Sequence, residues 1–372
     1  MTTLQKPAHV SDVAEMDLAE LEAALIARDA EPFHARQIYR WLYRRGVSDF
    51  EAMTDLSRPM RVRLATELRI GTPALVRRET STDGTAKFLL ALEDGRQIEA
   101  VCIPETAERS SGGSDRMTFC ISTQVGCAMK CGFCLTGKMG LVRNLTAGEI
   151  AGQVRVLAAE TSLRDKRFNI VLMGMGEPLH NYDNTMKALR LLADPQGLAL
   201  SPRRVTLSTI GVLPALERLA HEPLMPNLAI SLHATTEDQR DALVPVNRKY
   251  GLQDILDACR RFPLKHRRRI TFEYVLLRGV NDSPDDARRL VRLMHGIRSK
   301  INLIPLNEAP GIPFNRPTDK EVDAFAGILV KHDLVVSVRK SRGRDIRAAC
   351  GQLIVEGVRK SAAQELAERM TK

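Results

Sequence analysis

No stretch of this 372-residue sequence approaches the roughly 18 consecutive apolar residues of a membrane span, so insertion into a bilayer is not expected. The amino terminus, MTTLQKPAHVSDVAEMDLAE, has neither a basic start nor an apolar core, and a cytoplasmic location is expected in the absence of an export leader. Acid is the scarcer charge: 45 Asp and Glu face 55 Lys and Arg, a formal charge of +10. That imbalance says little about fold but favours a polyanionic partner. Cysteines number seven, an odd count, and in a reducing compartment such residues act more often as metal ligands, nucleophiles or packing residues than as disulfide staples.

The positive charge is clustered. Residues 260–269, RRFPLKHRRR, hold six Lys or Arg and no acid, and residues 339–347, RKSRGRDIR, hold five around the single acid Asp345. Either run alone could be a solvated helix face; two of them, with the net charge, point to nucleic acid.

The length suits an α/β core of about 200 to 250 residues plus an appendage. Residues 1–72 are expected to form a small helical accessory domain with a basic face, since DLAELEAALIARD, ARQIYRWLYRR and RPMRVRLATEL keep a helical period. Residues 73–115 form a β-hairpin extension and a flexible loop: 73–79, 85–92 and 96–103 have strand composition, with a turn at Glu93-Asp94-Gly95. The core runs over 116–345, where MTFCIST, FNIVLMGM, RVTLSTI, NLAISLHA, ITFEYVLL and INLIPL alternate with helices that open on Thr146-Ala-Gly-Glu149, Ser283-Pro284 and Thr318-Asp-Lys-Glu321. Six strands so connected imply a parallel sheet, barrel-like or doubly wound, with ligands at the carboxyl ends of the strands. Residues 346–372 form a C-terminal segment with Cys350 and a terminal helix.

Cys127-Ala-Met-Lys-Cys131-Gly-Phe-Cys134 follows the first of these strands. Three thiolates at such spacing can hold one cuboidal iron–sulfur cluster, and ordinary sites use a fourth cysteine that is missing locally. A three-ligand cluster leaves one iron open. The competing reading is structural zinc, but zinc sites pair two cysteine knuckles or add histidine, and this loop has none. Cys102 shares a strand face with Ile98 and Ala100, and Cys259 a helix face with Leu252, Ile255 and Leu256, so both are packing residues.

The C-x3-C-x2-C spacing, with Phe133 before the last cysteine, resembles the radical S-adenosylmethionine (SAM) signature, and Met173-Gly-Met-Gly-Glu177-Pro178 resembles that superfamily's glycine-rich SAM segment. The resemblance implies a partial (β/α)6 TIM-like barrel and a 4Fe-4S cluster on Cys127, Cys131 and Cys134 whose open iron binds SAM. QIEAVCIP at 97–104, Ser122-Thr-Gln124-Val-Gly126-Cys127, SLHA at 231–234, NLIPLN at 302–307 and ACGQL at 349–353 narrow it further. From about residue 33 to 356 the chain resembles the RlmN/Cfr family of RNA adenosine methyltransferases.

That family resemblance implies that Cys350 takes a methyl group from one SAM, and that a second SAM yields the 5′-deoxyadenosyl radical that activates this methyl for adenine. Cys120 then resolves the enzyme–RNA crosslink through a transient disulfide with Cys350, and Glu99 is the base. It places SAM contacts at Gly176, Glu177, Ser208, Ser231, Leu232, His233 and Asn307. It implies as substrates an adenosine of 23S rRNA at the peptidyl-transferase centre and the adenosine 3′ of the anticodon in some tRNAs. It further implies a reducing electron donor such as flavodoxin or ferredoxin. Methylation at C2, rather than the C8 of the related resistance enzymes, is expected from the long helical N-terminal domain. Arg36, Arg40, Arg44 and Arg45 there are expected to grip RNA. Two other readings stay open: a non-catalytic metal-containing RNA-binding protein, and a radical SAM enzyme acting on a small molecule or peptide.

Overall fold

The structure, a computed structural model, describes residues 10–105, 116–163 and 167–355. Both the inserted loop after Glu105 and the expected terminal helix lie outside the described residues.

Ten strands form one open sheet. In chain order they are β1 (Ala74–Thr80), β2 (Ala86–Ala91), β3 (Gln97–Glu105), β4 (Arg116–Cys120), β5 (Phe168–Leu172), β6 (Val205–Thr209), β7 (Asn227–Ser231), β8 (Ile270–Leu276), β9 (Ser299–Pro305) and β10 (Val336–Val338). From β4 to β10 every neighbour pair is parallel, and strand order follows chain order. The six expected strands are all present. A seventh, β10, adds itself beside β9; three residues with one half-buried side chain offer too short a pattern to read.

The segment expected as a hairpin extension is continuous with this sheet. Strands β1, β2 and β3 form an antiparallel meander whose last member pairs with β4, Val101 facing Cys120. The barrel wall is thereby prolonged, and Glu99 and Cys120 fall on one face of adjoining strands.

Helices pack outside the sheet: α1 (Leu18–Ile26), α2 (Phe33–Tyr39), α3 (Arg58–Glu67), α4 (Leu135–Met139), α5 (Ala147–Glu160), α6 (Tyr182–Ala193), α7 (Leu213–Leu219), α8 (Glu237–Leu243), α9 (Leu252–Arg261), α10 (Pro284–Leu293) and α11 (Asp319–Lys331). The three expected start signals are formed, Thr146 with Glu149, Ser283 with Asp286 and Thr318 with Glu321 exchanging side-chain and backbone hydrogen bonds. Each satisfies otherwise orphaned N–H groups of a first turn, worth about 1 kcal/mol. Cys102 and Cys259 are buried in the main core, and burial pushes both thiols up to about 12, as packing residues require.

The N-terminal domain docks on α5, α6 and the loop beyond through the turn before α1, α1 itself and the segment after α2. Glu15 accepts from the Gly148 N–H at the start of α5, Lys187 of α6 pairs with Glu20, and Arg44 donates to the carbonyls of Pro195 and Gly197 beyond α6. Arg40 donates to the Gln196 side chain. Arg40 and Arg44, expected to grip RNA, thus take part in docking the domain.

Candidate active site

Every parallel strand ends at one cavity of about 160 Å3. The loop after β4 brings Cys127, Cys131 and Cys134 to its wall; β5 brings Gly174 to Glu177, β6 Ser208, β7 Ser231 and His233, β8 Glu273, β9 Asn307 and β10 Arg339. Cys350 and Gly351 close it. This is where a parallel α/β array keeps its ligands, because the connecting loops converge there.

The cysteine loop is pinned at several points. Cys127 N–H donates to the Gly140 carbonyl and Gly132 N–H to that of Leu243. Gly126 has φ +76, and a Cβ there would stand 1.8 Å from the Gly140 oxygen, so the chain can pass only as glycine. Met129, Phe133, Ile210, Leu243, Val275 and Ile304 surround the thiols with a separate apolar cluster. Among the described residues no three Cys, His, Asp or Glu side chains converge on a single-ion position. The three thiols instead line the wall of a wider space, as the corners of a cuboidal cluster require.

Buried polar side chains order the rest. Gln153 on α5 accepts the Ser122 N–H at 2.8 Å and donates to the Ser122 carbonyl at 2.9 Å, fixing the strand exit. The Glu177 N–H donates to Gln124 at 2.9 Å, and its carboxylate accepts the N–H groups of Leu179 and Ile210, each at 2.9 Å. Burial raises the Glu177 pKa above the usual carboxylate value against those bonds. Gly176, at φ +106, has the Gln124 Cβ 2.6 Å from where its own would be. Arg240, fully buried, ties the ends of β6 and β7 by donating to the carbonyls of Ile210 and Leu232 and to Asn247.

His233 stands at φ +60 with Nδ1 accepting the Val275 N–H at 3.1 Å, which leaves the ring proton on Nε2. Burial and the Arg240 cation lower its pKa to about 3, so it is a neutral donor at any physiological pH. Ser208 and Ser231 hydroxyls lie 3.3 Å apart. Asn307 donates to the Cys350 carbonyl at 3.2 Å, while its own side-chain oxygen is buried with no protein partner. A buried acceptor left open in a cavity rim is placed for a donor on a ligand.

The cysteine-bearing segment is strapped over the cavity. Leu135 N–H donates to the Gly351 carbonyl at 2.8 Å and the Thr136 hydroxyl to that of Leu353 at 2.7 Å. Ile354 N–H donates to Glu99 at 2.9 Å, Ser81 to Asp345 at 2.6 Å and Gly343 N–H to Asp83 at 2.9 Å. The run 339–347, expected as a basic patch, therefore also anchors the strap.

Of the expected SAM contacts, Gly176, Glu177, Ser208, Ser231, His233 and Asn307 line the cavity; Leu232 does not, its side chain being fully buried in the core. Cys120 and Cys350 share a smaller adjoining cavity of about 20 Å3 with Arg339. The transient disulfide is not formed here: all seven cysteines are free thiols. Burial and neighbouring Cys350 push Cys120 up to about 12, with Arg339 acting in the opposite sense. Glu99 lines neither cavity. It is 2% exposed, 3.1 Å from Lys87 Nζ, with its pKa raised by burial against the pull of Lys87.

Arg339, Lys87, Gln124, Gln153 and Arg240 were not expected. A lysine amid the apolar run of β2 was the available sign for Lys87; the others act through contacts that no local pattern announces.

Residues 121–291 match the family model described as the radical SAM superfamily, and residues 11–70 that described as the ribosomal RNA large subunit methyltransferase N-terminal domain. A protein of Syntrophotalea carbinolica is 51% identical over 342 residues, 92% of this chain and 89% of its own length. One of Geobacter sulfurreducens is 50% identical over 92% of this chain and 91% of itself. Both are named dual-specificity RNA methyltransferase RlmN. A crystal structure of a radical SAM methyltransferase from Sphaerobacter thermophilus superposes with a TM-score of 0.86 at 45% identity, covering 92% of this chain and 99% of that one.

Proposed function

The chain belongs to the RlmN family of radical SAM RNA methyltransferases, and from that membership we propose how its residues divide the work and which RNA they act on. It is a SAM-dependent RNA methyltransferase with one 4Fe-4S cluster. The proposed product is C2-methyladenosine, in 23S rRNA at the peptidyl-transferase centre and 3′ of the anticodon in some tRNAs, with flavodoxin or ferredoxin as reductant. The relatives' names, dual-specificity RNA methyltransferase, support two RNA substrates.

The residues present fit both groups: three thiols facing one cavity, and the open Asn307 acceptor with the neutral His233 donor and the Glu177 carboxylate around it. When bound, the cluster supplies the one-electron reduction that releases a 5′-deoxyadenosyl radical from SAM. Glu177 and Asn307 would hold the charged methionine end of SAM, and Ser208, Ser231 and His233 its remaining polar atoms. The apolar shell of Met129, Phe133 and Val275 keeps water from the reacting centre.

The observation that carries the proposal is Cys350, held over the cluster thiols by Leu135 and Thr136 and sharing a cavity with Cys120. Its thiolate attacks the methyl carbon of SAM, forming a new S–C bond as the sulfonium S–C bond breaks with its pair to S-adenosylhomocysteine; adenine C2 carries no lone pair and cannot do so. The radical from a second SAM takes a hydrogen from this S-methyl, the methylene radical adds to adenine C2, and the adduct gives up its odd electron to the oxidised reductant. Cys120 thiolate then attacks Cys350 sulfur, and the S–C electron pair leaves to the nucleotide carbon, which takes up a proton to become the new methyl. Glu99 takes the ring proton. Because both its oxygens are held by Lys87 and Ile354, that step requires the strap to shift and release it. Digesting RNA from cells with and without the gene and separating methyladenosine isomers tests the reading: C2-methyladenosine must disappear with the gene. Loss of the C8 isomer instead would overturn the assigned position.

A further inference from the structure

The strongest run of positive charge, residues 260–269, does not lie at the cavity. It precedes β8, at the amino ends of the parallel strands, whereas the cavity is lined from the middle of β8 and the carboxyl-terminal parts of the other strands and by the loops that follow them. The same end carries Arg167 before β5 and Arg203 before β6. Arg167, Arg203, Lys265 and Arg267 are all exposed. Arg268 sits close enough to Arg203 for its pKa to be lowered by that neighbour as well as by burial. Acids are few among the described residues of these loops. Asp194 accepts from the Gln196 N–H and Glu222 from the Tyr182 hydroxyl, Asp333 stands exposed before the edge strand β10, and the segments before β8 and β9 have none.

Cations at helix carboxyl ends are favoured by the helix dipole, which accounts for Arg260, Arg261 and Arg292. It does not account for Arg167 and Arg267, which stand in the segments before β5 and β8, and the helical turn Pro202–Arg204 that carries Arg203 is only three residues long, too short for a dipole of weight. The surface is also built to keep its shape. Arg268 donates to the carbonyls of Met225 and Pro226, Arg269 to that of Ser299 and Arg298 to that of Leu264, so three arginines stitch the loops together and hold the remaining cations outward. The segment 195–197, on which Arg40 and Arg44 dock, opens the loop that ends at Arg203, so the N-terminal domain adjoins this rim.

We propose that this rim is a second RNA-binding surface, gripping the phosphate backbone of the substrate far from the nucleotide being methylated. The inference rests on the RNA methyltransferase reading. Strand β8, seven residues long, separates the two ends by roughly 20 Å at about 3.3 Å per residue. A folded RNA tens of ångströms across reaches around that distance through the N-terminal domain; a short hairpin seated in the cavity does not. An acidic reductant is the poorer occupant, because it must approach the cluster thiols at the opposite end. Contacts of this type fix register without reading sequence.

The test compares wild type with the triple variant Arg203→Glu, Lys265→Glu, Arg267→Glu on two RNAs: the 23S rRNA domain around the peptidyl-transferase centre, and its target hairpin alone. Affinity is measured by fluorescence anisotropy across a salt series, with methylation of the hairpin as control for an intact catalytic end. The surface predicts domain binding roughly tenfold or more weaker at about 0.1 M salt, a log–log salt slope smaller by about 2–3, and unchanged hairpin affinity and turnover. Unaltered domain affinity, or an equal loss on the hairpin, would overturn it. Failure of the wild type to methylate either RNA would instead overturn the functional reading beneath it.

Discussion

Replacing Lys87 by Met removes the cation that faces Glu99 inside the sheet. The two side chains are 9% and 3% exposed and 3.1 Å apart, with Glu79 on the other side of the ammonium. Deleting one partner of so buried a pair leaves a carboxylate without its counter-charge, a cost of about 3–5 kcal/mol. The cost depends on pH in a fixed sense. Burial already raises the folded-state pKa of Glu99 above its ordinary 4.5, against the lowering pull of Lys87. A raised carboxyl pKa means the folded state binds the proton more tightly, so its contribution is full below about 4.5 and is lost as pH rises through the folded value. Without Lys87 that folded value climbs further. Thermal unfolding of the variant must therefore fall well below wild type at pH 8 and approach it at pH 5. The acid limb of methylation activity must move towards alkali, because Glu99 holds its proton longer. Lys87→Met with Glu99→Gln restores stability at pH 8 without restoring activity. Equal loss of stability at both pH values, or an unmoved acid limb, would refute both the ion pair's energetics and the role given to Glu99.

Arg240→Lys keeps a charge but loses the planar fork that serves the Ile210 and Leu232 carbonyls and Asn247; with each unsatisfied buried partner costing about 1–3 kcal/mol, the unfolding midpoint falls measurably in calorimetry. Gly176→Ala places a Cβ 2.6 Å from that of Gln124 at φ +106, and SAM binding by equilibrium dialysis should weaken at least tenfold, on the order of 1.4 kcal/mol, while an unchanged affinity would dismiss this wall as a SAM contact. Cys120→Ala should leave methylation of Cys350 intact yet trap protein on RNA, visible as an RNase-sensitive band in a denaturing gel. Arg339→Ala, which removes the guanidinium from the cavity shared by the two thiols, should slow both thiol steps, with the methylated fraction of Cys350 falling and the crosslink accumulating; rescue by Lys separates charge from shape.

Much of this was legible in the sequence because its signals are local. The cysteine spacing, the glycine-rich segment after β5, the alternation of strand and helix, the two capping boxes at Thr146 and Thr318 and the Ser283-Pro284 helix start each sit within a few residues; that Ser283 also forms a box with Asp286 emerged with the structure. Cys102 and Cys259 declared themselves by periodicity. What escaped reading acts across the chain: Asp345 bonds Ser81, Glu99 bonds Ile354 and Thr136 bonds Leu353, pairs more than two hundred residues apart. Arg339 looked like part of a surface run because the strand before it, β10, is three residues long and hides the turn into the cavity. The opposite displacement befell 260–269, whose charge was plain but whose place at the far end of the strands was visible only with the sheet assembled.

The claim that the methyl group travels on Cys350 meets its most direct test in a peptide mass spectrum of the protein purified from cells with its cluster intact. The peptide containing Cys350 must carry one methyl group on sulfur, absent from a Cys350→Ala control. A free thiol at Cys350 in active enzyme would contradict the account.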